Sequence, residues 1–205
     1  EPLQFGAEIY GHAGLEADLE IQDLALDGLA AAGVGRLVLD MGDARIVRSL
    51  LATEGHAPEA VADIVAALTL KDRSAVETLV DSCSAPVRDA LLALLDLYGD
   101  DEVLAIARRV LPPLPGITAA LDDLAWLGRH LRAAHPDIDL GFDLSDMSGY
   151  AYYSSVRFSV WTTVPGGHVA IQPELRPRPN ARWNTPKCAA GFVLSLSLIK
   201  FGLYG

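Results

Sequence analysis

The chain has 205 residues, of which 51% are hydrophobic and 21% charged, and its formal net charge is −11 at pH 7. This length suffices for one domain with a packed core, or for one domain with a helical insertion. The acidic balance argues against nucleic acid as the main partner, because tRNA and duplex binding rely on clustered Lys and Arg. No apolar run reaches the roughly 18 residues of a membrane span, and the start shows no signal-peptide pattern, so we expect a cytoplasmic protein.

Residues 4–10 predict the first strand, because apolar and polar residues alternate. The face suited to a core holds Phe5, Ala7 and Ile9. Gln4 and Glu8 share the opposite face, about 13 Å apart at ~3.3 Å per residue. The two polar side chains are therefore placed to line the two ends of a small-molecule groove.

Residues 15–32 predict an amphipathic helix with apolar residues at the 3–4 spacing, Gln22 excepted. Glu16, Asp18 and Glu20 in its first turns suit the positive end of the helix dipole. Gly33 predicts the stop, and residues 36–40 predict a short buried strand. A helix, a glycine and then an apolar β-branched run together indicate a helix packed on a sheet.

The middle of the chain, residues 43–134, predicts mostly helix. The candidate helices are 44–54, 59–70, 73–82, 86–98, 101–110 and 117–134. The Pro-rich run 112–116 is the clearest breaker and precedes the last of them. Strands are predicted again over 138–144 and 151–162, followed by a turn at 165–167, a partner strand from residue 168 and a loop over 176–182.

Residues 146–158 resemble the histidine-binding signature of histidyl-tRNA synthetases, which reads Arg-Gly-Leu-Asp-Tyr-Tyr-Thr-Gly in that family. Ser148 stands at the position of the family's Arg and Ala151 at that of its Asp, whereas Tyr152 and Tyr153 remain. Near the start, residues 4–11 resemble the return strand of motif 2 of class II synthetases, and residues 13–20 the helix start that follows it in the regulatory subunits of ATP phosphoribosyltransferase. The resemblance covers roughly residues 1–170 well, and residues 189–198 again resemble the strand-and-helix entry of motif 3.

The resemblance implies an α+β fold in which an antiparallel class II aminoacyl-tRNA synthetase-like sheet is flanked by helices and carries a helical insertion. Residues 1–43 and 135–205 would form the synthetase-like core, and residues 44–134 the mostly helical segment. It further implies that an N-terminal part is missing from this chain, with motif 1, its dimer interface and the first strand of motif 2.

The catalytic charges of a synthetase are largely lost from the visible chain. The resemblance puts Leu198 at the position of the motif 3 Arg, with Ser197 where a Glu is expected, and Ser148 at the family-specific Arg. Losing one such transition-state contact typically lowers the rate about 10²–10³-fold. We therefore expect no catalytic residues, no cofactor and no aminoacylation activity.

Binding of free histidine requires less than catalysis, and the retained residues suit it. By the resemblance, Gln4, Glu8, Tyr152 and Tyr153 form a histidine pocket, with a carboxylate for the ammonium and an aromatic wall for the imidazole. The structural alternative is a solvated strand face for Gln4 and Glu8. One of the two tyrosines belongs to the core in either case, because consecutive strand residues point to opposite faces.

The resulting expectation is a non-catalytic regulatory subunit of ATP phosphoribosyltransferase, the first enzyme of histidine biosynthesis. Its partners would be the short-form catalytic subunit, a second copy of itself and histidine as feedback ligand. Two alternatives stay open. One is a degenerate or partial histidyl-tRNA synthetase catalytic domain, and the other is a stand-alone α+β amino-acid-binding protein with a different partner.

Metal binding is not predicted from sequence spacing. The five histidines are isolated from one another in the chain: His12, His56, His130, His135 and His168. Cys83 and Cys188 lack zinc or redox spacing, so the sequence favours two unpaired thiols in a reducing cytoplasm.

Overall fold

The computed structural model describes residues 4–10, 12, 14–147, 156–164, 167–171 and 189–195. Within these residues the chain forms seven helices and seven strands, which confirms the predicted α+β class. In chain order the elements are β1 (Gln4–Tyr10), α1 (Leu15–Ala31), β2 (Leu37–Asp43), α2 (Ala44–Leu51), α3 (Pro58–Thr69), α4 (Arg73–Leu79), α5 (Ala85–Leu94), β3 (Tyr98–Gly99), α6 (Glu102–Val110), α7 (Pro115–Ala134), β4 (Asp139–Asp143), β5 (Val156–Val164), β6 (Gly167–Ile171) and β7 (Ala189–Ser195).

The strands form a two-stranded sheet of β1 and β7, and a five-stranded sheet in the order β3-β4-β2-β5-β6. The pair β1 and β7 is antiparallel, with Glu8 opposite Gly191 and Tyr10 opposite Ala189. The pairs β3 and β4, and β5 and β6, are antiparallel as well. The predicted antiparallel strand pairing is thus present in both sheets.

The chain divides into two compact units. The first unit comprises Glu1–Asp40, Leu127–Leu140 and Phe158–Gly205, and the second comprises Met41–Trp126 and Gly141–Arg157. None of the helices in the described part of the chain combines the length and the apolar character that crossing a membrane requires.

In the first unit, α1 packs against β1 and β7. Its buried face is centred on Ile21, Ala25 and Leu29, which follow one another at intervals of four residues. The polar Gln22, the exception in the predicted apolar spacing, also lies on this face and is 1% exposed. The helix ends one residue before the predicted end, and Gly33 follows with a φ of 78°, a left-handed conformation that suits a helix stop.

In the second unit, short helices bury apolar residues against one another, with α3 on α4 and α5 on both α2 and α4. Their fully buried leucines and valines, such as Leu50, Leu68, Val76 and Leu91, form the core. Burying one side chain of this size stabilises the folded state by about 1.5–3 kcal/mol. The helices are too short to be stable alone, so this packing holds them.

One helix prediction was wrong at its end. The sequence predicts helix over 86–98, but α5 ends at Leu94 and Tyr98 lies in β3, paired with Asp143. The backbone N–H of Leu144 donates to the carbonyl of Leu97 at 3.0 Å, and Gly99 has a φ of 136°, which only glycine adopts readily. A tertiary strand pairing thus overrides the local helix pattern. Of the predicted strand over 151–162, the structure describes a strand from Val156. Residues 151–155, the loop over 176–182 and residues 196–198 lie outside the described residues.

Candidate functional site

The exposed face of β1 carries the one predicted ligand-binding side chain that the structure describes. Glu8 is exposed, and the hydroxyl of Tyr10, which is 73% exposed, donates a hydrogen bond to its carboxylate. In β7 the residues opposite Glu8 and Tyr10 are Gly191 and Ala189, the two smallest amino acids. This face therefore presents a carboxylate and a phenol, each opposite one of these two small residues.

The other predicted pocket residues are described only partly or not at all. Gln4 lies in the same strand as Glu8, opposite Ser195 of β7. Tyr152 and Tyr153 lie outside the described residues, as do Ser148, Ala151, Ser197 and Leu198. The structure describes Glu8 and the backbone of Gln4, and the rest of the histidine pocket stays a prediction.

A buried ion pair that the sequence analysis missed joins the two ends of the signature segment, residues 146–158. Arg157 in β5 is 7% exposed, and its Nη1 lies 2.6 Å from Oδ2 of Asp146. The same Nη1 donates to the backbone carbonyl of Asp146 at 2.8 Å. Asp146 and Arg157 stand on either side of residues 148–155, so this contact fixes the distance between the two ends of the signature segment. A charged residue inside the apolar run Val156-Arg157-Phe158 was the available signal.

A second missed network joins the start of α2 to α7. Asp43 is fully buried and caps α2, where its carboxylate accepts from the backbone N–H of Arg45 at 2.8 Å. The Arg45 guanidinium spans two carboxylates, with Nη2 2.6 Å from both Asp43 and Asp123. Burial acts to lower the pKa of Arg45, but the two carboxylates outweigh it and raise that pKa above its ordinary value. The arginine is a permanently charged clamp within the second unit.

Three of the described histidines have side-chain partners that the sequence analysis did not identify. His12 lies 3.6 Å from Glu16, and His135 lies 3.0 Å from Asp23. His56 Nε2 lies 3.2 Å from the sulfur of Cys83, a residue 27 positions away in the chain. Sequence spacing could not reveal this last pair, because tertiary packing of two loops creates it.

Comparisons with known proteins agree on the family. The family model described as histidyl-tRNA synthetase matches residues 1–171. A curated relative from Verminephrobacter eiseniae, named ATP phosphoribosyltransferase regulatory subunit, is 49% identical over 161 residues, which are 78% of this chain and 41% of the relative. The chain therefore spans about two fifths of the length of such relatives.

Two solved structures share the fold. An ATP phosphoribosyltransferase regulatory subunit/histidyl-tRNA synthetase from Bacillus halodurans superposes with a TM-score of 0.78 at 23% identity, over 98% of this chain and 53% of that one. The ATP phosphoribosyl transferase (HisG:HisZ) complex from Thermotoga maritima gives a TM-score of 0.63 at 14% identity, over 94% of this chain and 65% of that one. At these identities the likeness concerns the fold.

Proposed function

Because the chain belongs to the histidyl-tRNA synthetase family, we propose that it is part of a regulatory subunit of ATP phosphoribosyltransferase. The observation that carries this proposal is the 49% identity over 161 residues with a curated relative of that name. A second relative of the same name, from Burkholderia lata, is 51% identical over 161 residues. In this role the protein has no aminoacylation activity, works in the cytoplasm and belongs to histidine biosynthesis.

The replaced arginines support a non-catalytic role. Ser148 and Leu198 are uncharged, and neither can hold a phosphate or an acyl phosphate in the manner of a guanidinium. Losing both contacts would lower an aminoacylation rate by about four to six orders of magnitude if the effects add. We expect the full-length protein to show no histidine-dependent ATP–pyrophosphate exchange above background. Exchange at the rate of a histidyl-tRNA synthetase measured in parallel would instead support the synthetase alternative.

Free histidine is the ligand we propose for the exposed face of β1. Its ammonium would pair with Glu8, the imidazole would lie against Tyr153, and Gln4 and Tyr152 would complete the pocket. The described part of this arrangement is favourable, since Glu8 is exposed and lies opposite Gly191, which leaves room for a ligand. Tyr152→Phe and Tyr153→Phe should differ in their effect on histidine binding, because only one of two consecutive strand residues can face the ligand.

The partner we propose is the short-form catalytic subunit of ATP phosphoribosyltransferase. Regulation would then be a linkage effect, in which histidine biases the complex by its different affinity for two states. The synthetase-like core, residues 1–43 and 135–205, would carry the ligand face, and the mostly helical segment 44–134 would offer surface to the partner. A dimer of the regulatory subunit completes the proposed assembly.

Assembly is tested with the full-length protein and the catalytic subunit by size-exclusion chromatography with light scattering. We expect a dimer alone, a larger complex on mixing, and a catalytic rate that rises in the complex and falls when histidine is added. A monomer that ignores the catalytic subunit at micromolar concentration would contradict the proposal. Assembly without a response to histidine would support the proposed partner and contradict the proposed ligand.

A further inference from the structure

Three side chains with metal-binding donor atoms come together in the second unit. They are Glu54, His56 and Cys83, and their donor atoms all lie within 4.8 Å of one another. The closest pair is His56 Nε2 and Cys83 Sγ, at 3.2 Å. Cys83 is buried, whereas Glu54 and His56 are partly exposed, so the cluster opens towards solvent on one side.

The local backbone explains why Glu54 and His56 point to one place. Both lie in the loop between α2 and α3, and Gly55 between them has a φ of 67°. This left-handed conformation suits glycine, because a side chain there would be strained. It turns the chain sharply, so that the residues before and after it contribute to the same cluster as Cys83, which precedes α5.

A second layer of contacts orients the carboxylate. The backbone N–H of Ser84 donates to Glu54 Oε2 at 3.0 Å, and the Ser84 hydroxyl donates to Glu54 Oε1. These hydrogen bonds lower the pKa of Glu54, so it is ionised at neutral pH. Hydrogen bonds from a second layer of residues are the usual means by which a protein fixes a ligating side chain before an ion arrives.

We propose that Glu54, His56 and Cys83 form a binding site for a divalent transition-metal ion, with Zn²⁺ the best match. A thiolate, an imidazole and a carboxylate are the three ligand types that Zn²⁺ takes in proteins. Tetrahedral Zn²⁺ places a sulfur and a nitrogen ligand about 3.5 Å apart, given bond lengths of ~2.3 and ~2.0 Å. The observed separation of 3.2 Å therefore needs a shift of only a few tenths of an ångström.

The charge balance suits a divalent cation. With the thiol deprotonated, the cluster carries two negative charges, one on Cys83 and one on Glu54, and His56 binds as the neutral imidazole. Without an ion, burial raises the pKa of Cys83, the Glu54 carboxylate raises it further, and Arg88 acts in the opposite sense. The thiol is thus protonated and a poor nucleophile at neutral pH, which argues against covalent catalysis. Metal binding breaks the S–H bond, forms the metal–sulfur bond and releases the proton to solvent.

Three protein ligands leave one tetrahedral position for water or for a further ligand. In proteins this open coordination accompanies exchangeable or catalytic ions more than closed structural ones. The site would also tie the loop after α2 to the loop before α5, because Glu54 and His56 come from one and Cys83 from the other. Bound metal should accordingly raise the thermal stability of the full-length protein.

The test is a Co²⁺ titration of the reduced, metal-free, full-length protein, followed in the near ultraviolet and the visible. Thiolate coordination by tetrahedral Co²⁺ gives sulfur-to-metal charge-transfer absorption together with intense d–d bands. We expect both at one Co²⁺ per chain, and their loss when Zn²⁺ is added. Cys83→Ser should abolish the charge-transfer band, and Cys188→Ser, the matched control, should leave it unchanged.

Two further variants keep the test decisive if Cys83→Ser fails to fold. Glu54→Gln and His56→Gln retain the thiol and the approximate shape, and each should weaken Co²⁺ binding at least tenfold, with the circular dichroism spectrum unchanged. Absence of a thiolate band in the wild type overturns the site. A band that survives Cys83→Ser, or that disappears with Cys188→Ser, would show that the metal binds elsewhere and would equally overturn the proposed site.

Discussion

Asp43 and Glu8 are both carboxylates at a strand, but the protein uses them in opposite ways. Asp43, at the end of β2, has no exposed surface, caps α2 and pairs with Arg45. Glu8, in β1, is exposed, and a neighbouring phenol donates to it. A carboxylate that is buried and satisfied serves the fold, whereas one left in water beside small residues is available to a ligand.

The difference has an energetic basis. A buried charge must be matched by a fixed partner, because an unmatched one costs several kcal/mol. An exposed carboxylate keeps its hydration and contributes little to folding. It loses that hydration only when a ligand covers it, and the free energy of the new ion pair then contributes to the affinity for the ligand. Substitutions at the two positions should therefore separate stability from ligand affinity.

The largest effect is expected from Arg45→Ala. Removing the guanidinium leaves the buried Asp43 carboxylate and that of Asp123 facing each other without a cation. Breaking a buried pair in this way typically costs about 3–5 kcal/mol, and the 26% exposure of Arg45 favours the lower end. Urea unfolding of the full-length protein measures the loss of free energy.

Arg73→Ala is the matched control for this prediction. Arg73 pairs with Asp96 at 2.7 Å, but the two side chains are 48% and 73% exposed. Exposed pairs of this kind contribute less than about 1 kcal/mol. If Arg45→Ala and Arg73→Ala lose the same free energy of unfolding, burial of Asp43 does not determine the loss. The contrast between buried and exposed carboxylates would then fail.

Glu8→Ala should leave stability nearly unchanged and weaken histidine binding. If the ligand's ammonium is desolvated on binding, removing its counter-charge costs on the order of 2–4 kcal/mol of affinity. Calorimetry of histidine binding to the assembled complex measures this loss, with Glu20→Ala as control, because Glu20 is an exposed carboxylate on α1. Wild-type affinity and feedback in Glu8→Ala would place the histidine site elsewhere.

Local sequence patterns predicted most of the elements, because each carries its own signal. The alternation over residues 4–10 and the periodicity over 15–32 gave β1 and α1 with bounds correct to within one residue. The helices of the second unit were also predicted, with errors at their ends. The strand at Tyr98 was missed, since its conformation depends on pairing with Asp143, which lies 45 positions later.

The site was predictable only where a motif encodes it. Glu8 came from resemblance to a family motif, and the structure places its side chain in solvent. By contrast, the Arg157–Asp146 pair closes a segment of the chain, with the two residues 11 positions apart. The cluster of Glu54, His56 and Cys83 joins two loops, with His56 and Cys83 27 positions apart. Such contacts depend on how loops pack. The charge of Arg157 between two apolar residues signals that a partner is needed, but one sequence does not specify which residue provides it.

The smallest predicted effect applies the same contrast to two basic residues, one in each unit. Arg36 and Lys71 both have a left-handed backbone with a φ of 52°. This conformation costs a non-glycine residue roughly 1–2 kcal/mol, and glycine avoids that cost but loses about 0.4–1 kcal/mol through its more flexible unfolded state. Because Arg36 is exposed, Arg36→Gly should therefore raise the free energy of unfolding of the protein by about 0.5 kcal/mol.

Lys71→Gly should show no such gain, because the side chain of Lys71 has partners to lose. Its Nζ lies 3.0 Å from Asp143 and 4.3 Å from the centre of the Tyr98 ring. The ion pair and the cation–π contact together offset the strain, at about 0.5–1 kcal/mol each. Urea titrations of the two variants against wild type provide the measurement. If Lys71→Gly is stabilised as much as Arg36→Gly, partly exposed contacts do not compensate for backbone strain in this protein, and only buried charges such as Asp43 are held by their partners.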